Sequence, residues 1–296
     1  MVSVLRRRGR RGLDSPLMIV APNRARLIDR CRALAHPVYL GDDVVLCRIL
    51  GLLSFYLDRR DASFAGRVLL DGFWEIEATL FISRRVRPGM TAIDIGANYG
   101  YYTLLLGALV GETGHVIAIE PNPDAAALLR RSLMANDLSG RTTLHEVAAG
   151  ASDGNEVSLA VPECRPMNAR IVYAPAEAGN DRVAHRRVRQ VTVDALAAGL
   201  PRIDFVKIDA EGAEERVIEG MLTTLQRHRP SLVLEFNIER VKEPTRLLRL
   251  LSELYGGIGY IDDDGDRAET TLAQLTSQRR GCDWMLCFDP PGRPNS

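Results

Sequence analysis

Cysteine is scarce. Five residues, Cys31, Cys47, Cys164, Cys282 and Cys287, form no C-x-x-C pair and leave an odd one over. Such spacing gives neither a zinc knuckle nor a disulfide framework, so reduced thiols and a cytoplasmic setting are expected. Charge of one sign is missing too: 38 basic residues balance 38 acidic ones. Without a basic excess, nucleic acid is not an expected partner. No apolar run approaches the roughly 18 residues of a membrane-spanning helix, so no transmembrane segment is expected. Arg6, Arg7, Arg8, Arg10 and Arg11 are followed by Gly12, Asp14 and Pro16 rather than by an apolar core, which is unlike a secretory signal. Internal repeats and low-complexity tracts are absent.

What is present is ordinary for a globular chain: 46% apolar and 26% charged residues over 296 positions, enough for one sizeable core. Residues 1–16 read as a mobile basic tail. Residues 17–70, with helical spacing over 22–37 and one or two strands over 43–57, read as an extension packed on the core, a lid or a substrate wall. Residues 71–290 read as the main domain. An amphipathic helix is expected over 71–87, stopped by Pro88-Gly89. From there strands at 91–95, 115–120, 142–148, 203–209 and 231–237 alternate with helices at 99–110, 123–136, 213–227 and 243–255. Further strands are expected at 156–161, 188–193, 258–261 and 283–288. Alternation at this spacing predicts an α/β fold with a doubly wound, mostly parallel, Rossmann-like sheet.

The central stretch is TAIDIGANYGYYTLLL, residues 91–106. A β-branched run ends in Gly96, Asn98 and Gly100 and feeds an apolar helix, the pattern of a strand, a glycine loop and a helix N-terminus. Asp94 is a carboxylate inside the strand, where an apolar residue is expected. Ligands of such sheets sit at the carboxyl ends of the strands, and four ends are polar: Asp94–Gly100, Glu120–Asn122, Asp209–Glu211 and Glu235–Asn237. Glu120, 26 positions after Asp94, is placed to accept bonds from ribose hydroxyls. Asn98 stands where a dinucleotide fingerprint needs its second glycine, which disfavours the alternative of an NAD-dependent oxidoreductase. A non-catalytic nucleotide-binding protein would not need the carboxylates at the later strand ends.

The strings AIDIGANYGYYTLLLG, VIAIEPNP, VKIDAEGAE and LVLEFN together resemble the FkbM-type S-adenosylmethionine-dependent methyltransferases over roughly residues 70–240. The resemblance implies a class I methyltransferase fold and S-adenosyl-L-methionine as cofactor. The implied reaction is O-methylation of a small-molecule or glycan acceptor: a sugar, a glycolipid or a natural product. It places Asp94, Gly96, Asn98 and Gly100 along the methionine part of the donor, Glu120 at its ribose, Asn122 near the adenosine, and Val147 and Ala148 beside the adenine. A hydroxyl is a poor nucleophile and calls for a base or a metal. Asp209, Glu211 and Glu235 are the candidate bases, with Lys207 two residues before Asp209 on the same sheet face. Asp209, Glu235 and Asn237 also form a candidate magnesium set. Many members of that family carry histidine where Asn237 stands, so the base stays open among the carboxylates. Asn168 and Arg170, in the loop 162–175, are candidate acceptor contacts. Trp74 and Glu75 are candidates to fold over the pocket, and His145 is the one histidine singled out.

Overall fold

The computed structural model describes residues 24–173, 183–277 and 281–290, so the basic tail expected over 1–16 lies outside the described residues. The described chain opens with α1 (Arg24–Leu34), then an antiparallel three-stranded sheet of β1 (Val38–Gly41), β2 (Val44–Ile49) and β3 (Leu53–Asp58). The helix expected over 71–87 is the shorter α3 (Ile76–Arg85), and a further helix that was not expected, α2 (Ala62–Asp71), precedes it. Gly72 separates them at φ +71°, and a Cβ there would lie 2.6 Å from the Cys31 carbonyl oxygen. Only glycine turns the chain so close to another backbone.

The main sheet starts with β4 (Thr91–Ile95), α4 (Tyr101–Leu109), β5 (His115–Ile119), α5 (Pro123–Ala135) and β6 (Thr142–His145). The strand expected over 142–148 stops at His145 and the chain leaves for a second, four-stranded sheet. That sheet contains β7 (Ala148–Ala149), β8 (Glu156–Pro162), β9 (Arg170–Val172) and β10 (Val183–Val191), in the order β7-β10-β8-β9. The main sheet resumes after α6 (Val193–Ala197) with β11 (Phe205–Ile208), α7 (Glu214–Glu219), α8 (Leu222–His228), β12 (Ser231–Phe236) and α9 (Pro244–Tyr255). It closes with β13 (Ile258–Ile261), β14 (Arg267–Thr270), α10 (Leu272–Ser277) and β15 (Trp284–Phe288).

Its eight strands run β14-β13-β15-β12-β11-β4-β5-β6; the five from β12 to β6 are mutually parallel, and β15 enters antiparallel beside β12. The fold is therefore the doubly wound α/β sheet expected from the alternation. β4, β5 and β11 read as nearly continuous apolar runs because helices cover both faces. Chain order reverses at β4: β5 and β6 lie to one side, β11 and β12 to the other. That reversal opens a crevice at the carboxyl ends of the strands.

α4, YYTLLLGAL, is apolar all round and almost wholly buried. A helix of this kind needs cover on both sides. The sheet supplies one side and residues 44–86 the other: Phe55 meets Tyr101 edge-on at 6.4 Å, and Phe55, Leu57, Phe64 and Val68 share one buried cluster with Leu104 and Leu105. The outer edge of β3 is satisfied by side chains of α5 and the residue after it. Tyr56 N–H donates to Ser132 Oγ at 3.0 Å and Ser54 N–H to Asn136 Oδ1 at 2.9 Å, while Asn136 Nδ2 returns a bond to the Ser54 carbonyl at 2.7 Å.

Candidate active site

A cleft opens where the chain order reverses, the place where ligands of such sheets bind. The loop after β4 forms its floor. Gly96 holds φ +74°, and a Cβ on it would fall 1.7 Å from the Asp209 carbonyl oxygen, so the ends of β4 and β11 meet there backbone to backbone. Asn98 follows at φ +51°, a left-handed conformation that asparagine tolerates. Its Oδ1 accepts from Tyr99 N–H at 2.8 Å, and its Nδ2 donates to the Met167 carbonyl at 3.4 Å.

Glu120, just past β5, faces the cleft while buried in its wall. One carboxylate oxygen accepts from Asn98 N–H and the other from Asn122 N–H, each at 2.7 Å. Burial pushes Glu120 up to about 7, against the two backbone bonds that favour its charge. Asn122 lines the cleft and caps α5, accepting from Asp124 N–H at 3.2 Å, with Pro123 in the first helical position. One side of the wall is apolar: Ala125 from α5, Ala148 and Ala149 from β7, Leu159 from β8, and Pro166, Met167, Ala169 and Ile171 around β9.

Below the cleft is a buried ionic group. Lys207 and Asp94 are directly opposite one another on β11 and β4. Lys207 is buried, donates to Asp209 Oδ2 at 2.8 Å, and lies 4.6 Å from the centre of the Tyr102 ring. Burial pulls its pKa down, but Asp209, Asp94 and Glu75 outweigh that and hold it charged. Asp94 Oδ2 accepts from Thr103 Oγ at 2.5 Å, and Asp94 Oδ1 is buried with no partner in the protein. Glu75 accepts from Tyr102 OH at 2.6 Å, and burial raises its pKa. Asp209 lines the cleft. Burial raises its pKa, but Lys207 and a hydrogen bond with Glu235 carry it below the ordinary value. Glu235 moves far upward, first through burial and then through the Asp209 charge, so it is the member of the pair that keeps a proton. Glu211, at φ +49° on the cleft wall, is pushed up to about 7 by burial and by Asp209, with Arg240 3.3 Å away opposing.

A family profile described as "Methyltransferase FkbM domain" matches residues 94–256, more than half of the chain. The chain belongs to the FkbM methyltransferase family. The matched domain is a methyltransferase domain, which speaks against the NAD alternative. Shorter stretches are similar to characterised proteins. A 71-residue stretch, 24% of this chain, is 39% identical to the tRNA wybutosine-synthesizing protein 2 homolog of Danio rerio, of which it covers 16%. A 48-residue stretch, 16% of this chain, is 35% identical to a protein-L-isoaspartate O-methyltransferase of Methanothrix thermoacetophila, of which it covers 23%. The match thus spans under a quarter of either relative's length. Among solved structures, the methyltransferase FkbM of Methylobacillus flagellatus KT aligns at 17% identity over 77% of this chain and 58% of that one, with a TM-score of 0.41.

Within this FkbM-family domain the cleft brings together Gly96, Asn98, Glu120, Asn122, Ala148, Asp209 and Glu211. Lys207 and Glu235 stand behind Asp209 and do not line the cleft, nor do Asp94 and Val147. Gly100 is also outside it: at φ +95° it heads α4, and a Cβ there would come 2.1 Å from Leu129 Cδ1, so this glycine is needed to bring α5 close. His145 ends β6 half-buried, and its carbonyl accepts from Glu120 N–H at 3.0 Å. Trp74 packs on Phe64 at 4.9 Å in the core, and Arg170 is exposed.

The residues present fit the donor. Glu120, whose oxygens each accept one backbone N–H, keeps lone pairs for a diol, and the apolar wall suits a planar base. The magnesium set does not fit. Asn237 Oδ1 accepts from Glu239 N–H at 3.0 Å and its Nδ2 donates to Asp283 at 2.8 Å, while Asp209 is bound to Lys207 and Glu235. Among the described residues, no group of three or more His, Cys, Asp or Glu is arranged to hold a metal ion, and no helix is long and apolar enough to cross a membrane.

Proposed function

We propose that this methyltransferase methylates a hydroxyl oxygen of a sugar, glycolipid or natural-product acceptor. S-adenosylmethionine supplies, when bound, a methyl group on a positively charged sulfur. Glu120 and Asn122 hold the nucleoside end, the wall from Ala148 to Ile171 excludes water from the base, and the loop at Gly96 and Asn98 lines the amino-acid end. Asp94 lies beneath the floor opposite Lys207, with one oxygen free of hydrogen bonds from the protein.

The observation that carries the chemistry is the division of labour among three carboxylates. Asp209 stays ionised and pinned by Lys207, which makes it a weak base but a firm hydrogen-bond acceptor for orienting a hydroxyl. Glu235 already holds a proton. Glu211, raised to about 7 and facing the cleft, is matched to proton removal near neutrality. Positioning by Asp209 and deprotonation by Glu211 together activate a poor nucleophile. Neither role calls for a metal ligand.

The test is transfer of labelled methyl from S-adenosylmethionine into fractionated cell extract, followed by mild alkali. An ether product keeps the label; a label released by alkali is a carboxyl ester and overturns the proposal. Glu211→Gln is expected to lower turnover by about 10²-fold or more while S-adenosylhomocysteine affinity stays within about twofold. Equal losses in both quantities would remove Glu211 from the base role.

A further inference from the structure

Asp61 precedes the family domain by more than thirty residues, and no sequence pattern singles it out. It sits at the N-cap position of α2, where an aspartate ordinarily caps its own helix, but its side chain makes no capping bond. The carboxylate, fully buried, turns the other way. It accepts from the Tyr99 hydroxyl in the glycine loop, and from Met167 N–H at 3.1 Å and 3.0 Å through its two oxygens. Met167 is part of the cleft wall, and its carbonyl receives the Asn98 side chain at 3.4 Å. One carboxylate from the N-terminal extension therefore ties the glycine loop to the facing wall.

We infer that Asp61 is a positioning residue for the methyl donor: it fixes the distance between the glycine loop and the 166–171 wall, and so sets donor affinity without touching the donor. The inference rests on reading this cleft as the donor site. The extension acts as a brace behind the cofactor rather than as a lid over the acceptor. A short, buried link of this kind has few ways to relax when an acceptor oxygen is removed, because Met167 N–H and Tyr99 OH then lack a partner in a dry interior.

Calorimetry with S-adenosylhomocysteine on the full chain tests this with four variants beside wild type. Asp61→Ala is expected to weaken binding about tenfold or more. Asp61→Asn keeps one acceptor oxygen and is expected to recover part of that loss. Val68→Ala, buried in α2 with no bond to the wall, is expected to lower the melting temperature and leave affinity within about twofold. Glu120→Ala reports on the donor site itself. A pH series adds a readout that packing alone does not move. Burial pushes Asp61 up to about 6, against its bonds from Tyr99 and Met167; Asp58 raises it and Arg60 lowers it. Between pH 7.5 and 5.5 wild-type affinity is therefore expected to fall further than that of Asp61→Asn.

Folded Asp61→Ala that binds like wild type, while Glu120→Ala does not, overturns the inference and leaves the donor site standing. Equal losses in Val68→Ala and Asp61→Ala overturn it as well. If wild type does not bind S-adenosylhomocysteine, or Glu120→Ala binds it unchanged, the donor-site reading fails and the inference with it. Should Asp61→Ala not fold, parallel pH curves for wild type and Asp61→Asn overturn it.

Discussion

Glu120 shows how one residue sets function against stability. Its folded-state pKa, about 7, lies above the ordinary carboxylate value of 4.5, so the folded chain holds this proton more tightly than the unfolded one. The stability it contributes is complete below about pH 4.5 and is lost as the pH rises through about 7. Glu211 has the same sign over the same window. His145 and His228, lowered by burial, act in the opposite sense. The free protein is therefore expected to resist urea better at pH 5.5 than at pH 8, Glu120 alone contributing about 2 kcal/mol. Donor affinity runs the other way, since hydroxyls bond best to an ionised Glu120. Equal urea midpoints at the two pH values would show that this carboxyl is not held in a dry wall. Gly96 offers a sharper case. At φ +74°, with an added Cβ 1.7 Å from the Asp209 carbonyl oxygen, Gly96→Ala is expected to cost more than about 3 kcal/mol and to abolish donor binding. A folded variant with a near-native melting point would contradict the close approach of β4 and β11.

At the scale of elements, tertiary packing decides where local preference misleads. The helix expected over 213–227 is broken into α7 and α8 at Gly220, although Gly220 itself has an ordinary negative φ of −80°. The cause is space: a Cβ there would lie 2.0 Å from the Gly150 carbonyl oxygen. Gly66, inside α2, has nothing within 4 Å of its missing Cβ. The same substitution should thus have opposite signs at the two sites. Gly66→Ala is expected to stabilise by about 0.5–1 kcal/mol, and Gly220→Ala to destabilise by more than about 2 kcal/mol. Melting curves of the two variants check the pair, and a stabilised Gly220→Ala would refute the crowding. The same logic explains what is readable in the sequence alone. β4, β5, β11 and β12 are legible because double-sided burial makes their sequences apolar throughout. The glycine loop is legible because its left-handed turns and close backbone contacts restrict residue type at fixed positions. α2 is not, being short, interrupted by Gly66, and carrying Leu70 exposed on its surface. β7 and β9, two and three residues long, leave no periodic signal. Asp61 is hidden for a further reason: an aspartate before a helix reads as a cap, and only the fold turns it toward Met167.

For the whole molecule, the extension and the sheet share one interior. α4 is hydrophobic on every side, and the face turned from the sheet is covered by Phe55, Leu57, Phe64 and Val68, all nearly or wholly buried. A chain beginning at residue 72 would keep every strand of the main sheet and every cleft residue from Gly96 to Glu211. It would nevertheless expose this apolar face, together with the α5 side chains that serve the edge of β3. Stripping these four buried side chains from α4 costs roughly 1.5–3 kcal/mol for each of them. That sum rivals the total stability of an ordinary domain, about 5–15 kcal/mol. The 72–296 fragment is therefore expected to aggregate or to lack a cooperative melting transition, and to bind no S-adenosylhomocysteine. Adding a separately produced 24–71 segment is not expected to rescue it, because β1 to β3 have no core of their own without α4. A 72–296 fragment that melts cooperatively and binds the product with native affinity would show that the extension is a dispensable attachment, and that the methyl-donor cleft stands without its brace.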